Sequence, residues 1–264
     1  MSRIRHGSFI ILVAFCFIVV RQPLPAASQT IDDIIQRGKV VIALDGSNPP
    51  FGSLGKDGQN EGYEPDVARL IGKYLGVQVE FVVATPQNRI ASLLTNRVDM
   101  MMIGITPERA KSVWFSIPYA TDGAVLVAPA SVQVKTLADL VGKRIGIPRG
   151  AMQDIVLSQS APPGANIMRF DDQATAVQAL IAGQVDLAGT GMLAYQILNR
   201  DDPGKQYETK LVLRPLHFGL GIRRGNTDLL QWLNTFIYAI KNNGELDAIS
   251  RKWRGLPVGE LPVF

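Results

Sequence analysis

The stretch Ile103-Gly104-Ile105-Thr106-Pro107-Glu108-Arg109 is where chemistry concentrates. It follows an apolar run and opens a helical pattern. Thr106 suits an N-cap, whose side-chain oxygen takes a backbone N–H, and Pro107 suits the first helical position. Free backbone N–H groups at such a start, with the positive end of the helix dipole, make an anion site. Arg109 in the first turn can grip a carboxylate with two parallel hydrogen bonds. The plainer alternative is a capped helix carrying a solvated arginine. Asp45 is a second candidate; it is equally suited to a turn in which it caps Ser47 or Asn48, because aspartate readily bonds nearby backbone.

Enzyme constellations are poor. His217 is the only histidine beyond the first residues, and Cys16 is the only cysteine. No metal-ligand cluster and no phosphate-cradling glycine loop is present, and Gly189-Thr190-Gly191 is too short for a dinucleotide site. Trp232 and Trp253 fall in helical patterns and read as packing residues. No cofactor is expected.

These residues need elements to position them. Val40–Leu44, Val79–Val83 and Val98–Ile103 read as buried strands. Between them, Val67, Leu70, Ile71, Tyr74 and Leu75 recur at helical spacing up to Gly76, and Ile90, Leu93 and Leu94 mark another helix face. A second series follows near Thr121. Its strands are Val125–Val127, Ile145–Ile147, Ile167–Phe170, Val185–Ala188 and Leu211–Leu213. Val177, Leu180 and Ile181 mark its helix, and Leu229, Leu233, Phe236, Ile237 and Ile240 make a long amphipathic one. The alternation predicts mostly parallel α/β sheets with helices on both faces, in two similar halves. Such sheets bind ligands beyond the carboxyl ends of their strands.

The N-terminus reads as export. Arg3, Arg5 and His6 precede an apolar run from Phe9 to Val20. That run is shorter than the roughly 20 residues a membrane span needs. Pro23 to Ser28 then supplies small and helix-breaking residues, the pattern of a secretory signal peptide cleaved after Ala27 or Ser28; the alternative is an uncleaved membrane anchor. Cys16 lies inside the apolar run and leaves with it, so the exported chain has no thiol. The formal charge of +4 owes most of its excess to Arg3, Arg5 and Arg21. No basic run points to nucleic acid, and no basic amphipathic helix points to a membrane surface.

Five motifs in order resemble the periplasmic amino-acid-binding proteins of ABC importers, solute-binding family 3, polar-amino-acid type. Asp45-Gly46-Ser47-Asn48-Pro49-Pro50-Phe51 resembles the family's opening. Gly62-Tyr63-Glu64-Pro65-Asp66-Val67-Ala68 resembles its first long helix start. Ile105 to Ala110, continuing through Phe115-Ser116-Ile117-Pro118-Tyr119, resembles its most specific motif. Leu137 to Ile147 resembles the start of the second lobe. Gly221-Ile222-Arg223-Arg224 and Asn243 to Trp253 resemble the return into the first.

The resemblance implies the type II periplasmic-binding-protein fold, α/β, with two lobes joined by two hinge strands. Residues 1–27 would be the signal peptide, 28–119 with 219–264 lobe one, and 120–218 lobe two. It implies a monomeric periplasmic protein that closes on a small ligand and docks on an inner-membrane ABC permease. A dehydratase-like enzyme and a ligand-sensing module on the same fold are the alternatives. By position, Arg109 would clamp the ligand carboxylate, with Ile103, Gly104 and Thr106 beside it. Asp45 would face the ligand's amino end, and Asn48 and Phe51 would form a wall; the alternative for Phe51 is a core aromatic. Thr85 to Ile90 resembles a stretch of acidic-amino-acid binders, so Arg89 would reach a second acidic group; its alternative is a surface arginine at a helix start.

The departures matter equally. The stretch from Asp99 to Arg109 is two residues shorter than usual, and Gly104 stands where a ligand-bonding Ser or Thr is common. In lobe two, Gly150-Ala151-Met152-Gln153 replaces a loop rich in hydroxyls. Gly191, after Thr190, stands where the family has an amine-binding aspartate. A ligand ammonium there would lack its charged partner, and an unpaired buried charge costs several kcal/mol. Either Asp45 holds the ammonium alone or the ligand has none.

Overall fold

The structure is a computed structural model that describes residues 30–262; the signal-peptide assignment and Cys16 lie outside the described residues. Helix α1 (Ile31–Arg37) leads into β1 (Lys39–Leu44), a small antiparallel sheet of three short strands β2 (Ser47–Asn48), β3 (Gly52–Leu54) and β4 (Asn60–Glu61), and helix α2 (Tyr63–Leu75). Then come β5 (Gln78–Val83), α3 (Arg89–Leu94), β6 (Met100–Gly104), the single turn α4 (Pro107–Ala110), β7 (Val113–Phe115) and the long β8 (Ala120–Pro129). The chain continues through β9 (Arg144–Pro148), α5 (Met152–Ser160), β10 (Asn166–Phe170), α6 (Gln173–Ile181), β11 (Leu187–Gly191) and α7 (Ala194–Asp201). It ends with the longest strand, β12 (Tyr207–Arg223), and helices α8 (Thr227–Asn242) and α9 (Glu245–Arg254).

The main sheet runs β10-β9-β11-β8-β12-β6-β1-β5, with β7 also on β12. At one end β1 pairs in parallel with β5 and β6; at the other β9 pairs in parallel with β10 and β11. Between these ends β8 and β12 run antiparallel to one another, from Tyr207 opposite Pro129 to Phe218 opposite Ala120. The sheet is therefore two parallel halves hung on an antiparallel pair, rather than parallel throughout. Both crossings between the halves are made by these two strands, because each is long enough to belong to both.

Strand alternation explains why the parallel strands read as continuous apolar runs. On β6, Met100 and Met102 face one cluster with Val67, Ile71, Leu233 and Ile237 from α2 and α8. Met101 and Ile103 face the opposite cluster with Leu93 of α3. On β8, Val125 and Val127 meet Leu180 of α6 and Leu198 of α7, whereas Leu126 and Ala128 meet Leu157 of α5. Each half thus has helices on both faces. Gly76 closes α2 in the left-handed region, at φ +70°, where glycine carries no steric penalty. Among the described residues no helix is long and apolar enough to cross a membrane.

Candidate functional site

The carboxyl ends of β1, β6, β9 and β11 converge on a cleft beside the β8–β12 crossing, and a cavity of about 70 Å³ lies there. A single water takes about 10–15 Å³ of such space, so the cleft has room for about half a dozen water-sized groups, the scale of a small amino acid.

Arg109 forms the most distinctive wall. Strand β6 ends at Gly104, two residues before the cap of α4. Thr106 Oγ1 accepts from the Arg109 N–H at 3.2 Å, which turns the arginine side chain back toward the strand end. There its Nη1 donates to the Gly104 carbonyl at 2.9 Å. A side chain at Gly104 would put its Cβ 3.3 Å from that Nη1, so glycine leaves room for the guanidinium. The group is buried. Burial, with help from the Arg89 charge, pushes Arg109 down to about 10. Among the described residues no carboxylate forms an ion pair with it. The sequence predicted an anion site assisted by a helix dipole, but α4 is one turn of four residues and sums few peptide dipoles. Any anion here would be held by the guanidinium, and Thr106 serves it as a cap rather than lining the cavity.

Asp45 and Arg89 both reach the cavity, yet they answer to each other. Arg89 Nη2 donates to Asp45 Oδ2 at 2.8 Å, and its Nη1 donates to the Met102 carbonyl at 2.7 Å. Asp45 Oδ1 accepts from both the backbone N–H and the hydroxyl of Ser47. Both side chains are buried. The turn reading of Asp45 is thus present in the structure. Asp45 and Arg89 both stand on the cavity wall, where each already has the other as its charged partner. Arg89 is not the surface arginine of the alternative reading.

Phe51 is displaced from the wall. Its ring is buried and stacks on Phe218 with centroids 5.1 Å apart, and it is Phe218, from the hinge strand β12, that lines the cleft. From the second half, Ala151, Met152 and Gln153 line the cavity as expected. Gly150 and Thr190 stand just behind. Gln153 Nε2 donates to the Thr190 carbonyl at 2.7 Å, tying α5 to β11. Gly150, at φ +73°, meets the backbone of Gln87 across the cleft, where a Cβ would come within 3.0 Å of Gln87 Cα. Asn48 Oδ1 accepts from Gln173 Nε2 at 2.9 Å. The two halves therefore touch directly over the cavity.

Gly191 reaches the cavity with no side chain, and the space is not empty. An added Cβ would fall 2.5 Å from Asp122 Oδ2. Asp122 stands on β8 opposite Leu216 of β12. Its Oδ1 accepts from the Met192 N–H at 2.9 Å. Burial pushes its carboxyl up to about 6, against the pull of the Met192 and Gly123 N–H groups and, more weakly, of Arg254.

Residues 40–256 match the sequence profile of the bacterial extracellular solute-binding proteins, family 3. The chain belongs to that family. This solute-binding protein is 31% identical over 232 residues to the L-cystine-binding protein TcyJ of Escherichia coli K12, covering 86% of this chain and 87% of that one. It is 31% identical over 222 residues to ABC transporter arginine-binding protein 1 of the same organism, covering 81% and 90%. Among solved structures it is similar to the solute receptor for L-cysteine of Neisseria gonorrhoeae, with a TM-score of 0.79, 27% identity and coverage of 85% and 93%. It is also similar to AncCDT-1, an ancestral amino acid-binding protein described as a precursor of cyclohexadienyl dehydratase, with a TM-score of 0.77, 29% identity and coverage of 84% and 98%.

Sequence reasoning missed several cleft residues of this solute-binding protein: Asp122, Gln173, Leu216 and Phe218 among them. Asp122 carried a signal. It is the one charged residue in the strand Ala120 to Ala128, and such a residue needs a reason to be buried. Gln173 and Phe218 carried none, because their roles depend on which strand and helix ends meet.

Proposed function

We propose that the protein captures an amino acid or related small carboxylate in this cleft and delivers it to the permease of an ABC importer. The carrying observation is Arg109, a buried cation on the cavity wall with no carboxylate paired to it among the described residues. A ligand carboxylate would supply the missing partner through two charge-assisted hydrogen bonds. The names of the relatives support an amino acid as the ligand class. The lobes would be residues 28–119 with 219–264, and 120–218, moving about β8 and β12. Ligand contacts both lobes only when they are closed, so binding would shift the population toward the closed form that docks on the permease. The protein would act as a monomer in the periplasm, reached through a cleaved signal peptide over residues 1–27.

The test is calorimetry of the purified, ligand-stripped protein against the twenty proteinogenic amino acids, L-cystine and small organic acids. The proposal expects at least one micromolar or tighter carboxylate ligand. Silence across the panel at millimolar concentration would contradict it. Asp122 favours an enzyme reading as well: among the described residues it is a cleft carboxyl outside an ion pair, and a dehydratase would need such a proton donor. Absence of turnover with prephenate or arogenate retires that reading.

A further inference from the structure

The cavity presents two buried ionisable side chains of opposite sign, Arg109 and Asp122, neither of which forms an ion pair among the described residues. Arg109 approaches from the β6–α4 junction in the first half. Asp122 approaches from the hinge strand β8, and its Oδ1 is held by the Met192 N–H at 2.9 Å. The other two charged side chains of the wall, Asp45 and Arg89, are closed on each other at 2.8 Å. A Cβ added at Gly191 would fall 2.5 Å from Asp122 Oδ2. A carboxylate borne by residue 191 and the one borne by residue 122 would therefore claim the same volume, and this chain fills it from β8.

We propose that Asp122 is the counter-charge for a ligand ammonium, so that Arg109 and Asp122 together select a zwitterion over a simple carboxylate. The proposal rests on the amino-acid-capture reading and adds to it the residue that recognises the amino group. The chemistry is complementary. Leaving Asp122 ionised and unpaired in a closed cleft is unfavourable, and an ammonium whose N–H groups meet Oδ2 removes that cost while fixing the ligand's orientation relative to Arg109. An organic acid without the amino group would satisfy Arg109 and leave Asp122 stranded. Such one-sided burial is heavily disfavoured.

The test takes the tightest amino-acid ligand of the wild-type protein and its desamino analogue, for example L-methionine with 4-(methylthio)butanoate, or L-alanine with propionate. Calorimetry is run on wild type, Asp122→Asn, and the double variant Asp122→Ser/Gly191→Asp, which returns the carboxylate to the same volume from β11. Melting curves check that each variant folds. The expected result is a loss of about 30-fold or more in amino-acid affinity for D122N. The desamino analogue should bind wild type at least as weakly, and D122N should narrow the gap between the two. The double variant should recover amino-acid binding to within about tenfold of wild type. Unchanged amino-acid affinity in D122N would overturn the role of Asp122 while leaving amino-acid capture intact. Equal wild-type affinity for the amino acid and its desamino analogue would overturn the proposal in the same way. If D122N does not fold, the double variant decides alone: recovery supports the proposal, and a folded double variant that binds no amino acid overturns it. A wild-type protein that binds neither amino acids nor organic acids would instead overturn the capture reading itself.

Discussion

Arg89 and Asp45 form a buried ion pair at 2.8 Å on the cleft wall, with Arg89 Nη1 also donating to the Met102 carbonyl. The pair fastens the end of β1 to the start of α3 and the middle of β6. Its charges largely cancel each other within the protein, so this part of the wall offers an acidic or basic ligand side chain no free countercharge. The apolar wall of Met152, Leu216 and Phe218 favours an uncharged one.

Removing one partner of this pair strands the other. Asp45→Ala should therefore destabilise the ligand-free protein by about 3–5 kcal/mol, measured by urea denaturation. Arg89→Met should cost a comparable amount. A loss near zero would show that the two side chains are free for ligand. In competition calorimetry, aspartate and glutamate should bind wild type more weakly than uncharged amino acids of similar size.

The cleft was only partly legible in the sequence. Thr106, Pro107 and Arg109 announced a capped start with an arginine because capping is local, settled within four residues. The run Met100 to Ile103 read as a strand buried on both faces because it lacks polar alternation. The Arg89–Asp45 pair bridges 44 positions, and no local pattern reveals that β1 and β6 lie side by side at that depth. Phe51 was an aromatic in the right segment, but its stacking on Phe218 follows from how β12 crosses, and the outer ring lines the cleft. Gly191 read as a lost charge. Only the neighbouring strand shows that Asp122 occupies its space.

The titration of Asp122 gives a pH dependence with a definite sign. Burial holds its carboxyl up to about 6, above the ordinary 3.8. In the ligand-free protein this group favours the folded state below about 4, and that contribution is lost as pH rises to about 6. Glu64, pushed up to about 8 by burial from an ordinary 4.5, acts in the same direction over the window from about 4.5 to 8. Ligand binding runs oppositely, because an ammonium needs the ionised carboxylate. The charged group that acts on Asp122 is Arg254, and its influence is already present in the free protein. Amino-acid affinity should be nearly flat from pH 8 to about 7 and fall by about tenfold in all from pH 8 to pH 5, with about half already lost at pH 6. Calorimetry across that range checks it, and constant affinity down to pH 5 would contradict it.

Gly150 tests closure apart from ligand contact. It stands behind the cavity wall, and its Cα faces the Gln87 backbone from the other half. Gly150→Ala adds a methyl group 3.0 Å from Gln87 Cα, at a φ of +73° that favours glycine. Affinity should fall by about 1–3 kcal/mol through overpacking of the closed form. The ligand-free melting temperature should change less, since an open form has no such contact. A variant that binds as tightly as wild type would show that the halves do not meet there when ligand is bound.

The central claim is that a ligand carboxylate completes the buried Arg109 site. The direct measurement is the dissociation constant of the tightest amino-acid ligand for wild type and for Arg109→Ala, by titration calorimetry on ligand-stripped protein whose folding is confirmed by melting. A loss of about 2–5 kcal/mol is predicted, because the truncation removes a buried charge-assisted pair. Equal affinity in the two proteins would contradict the account and reduce the Thr106–Arg109 turn to a capped helix end.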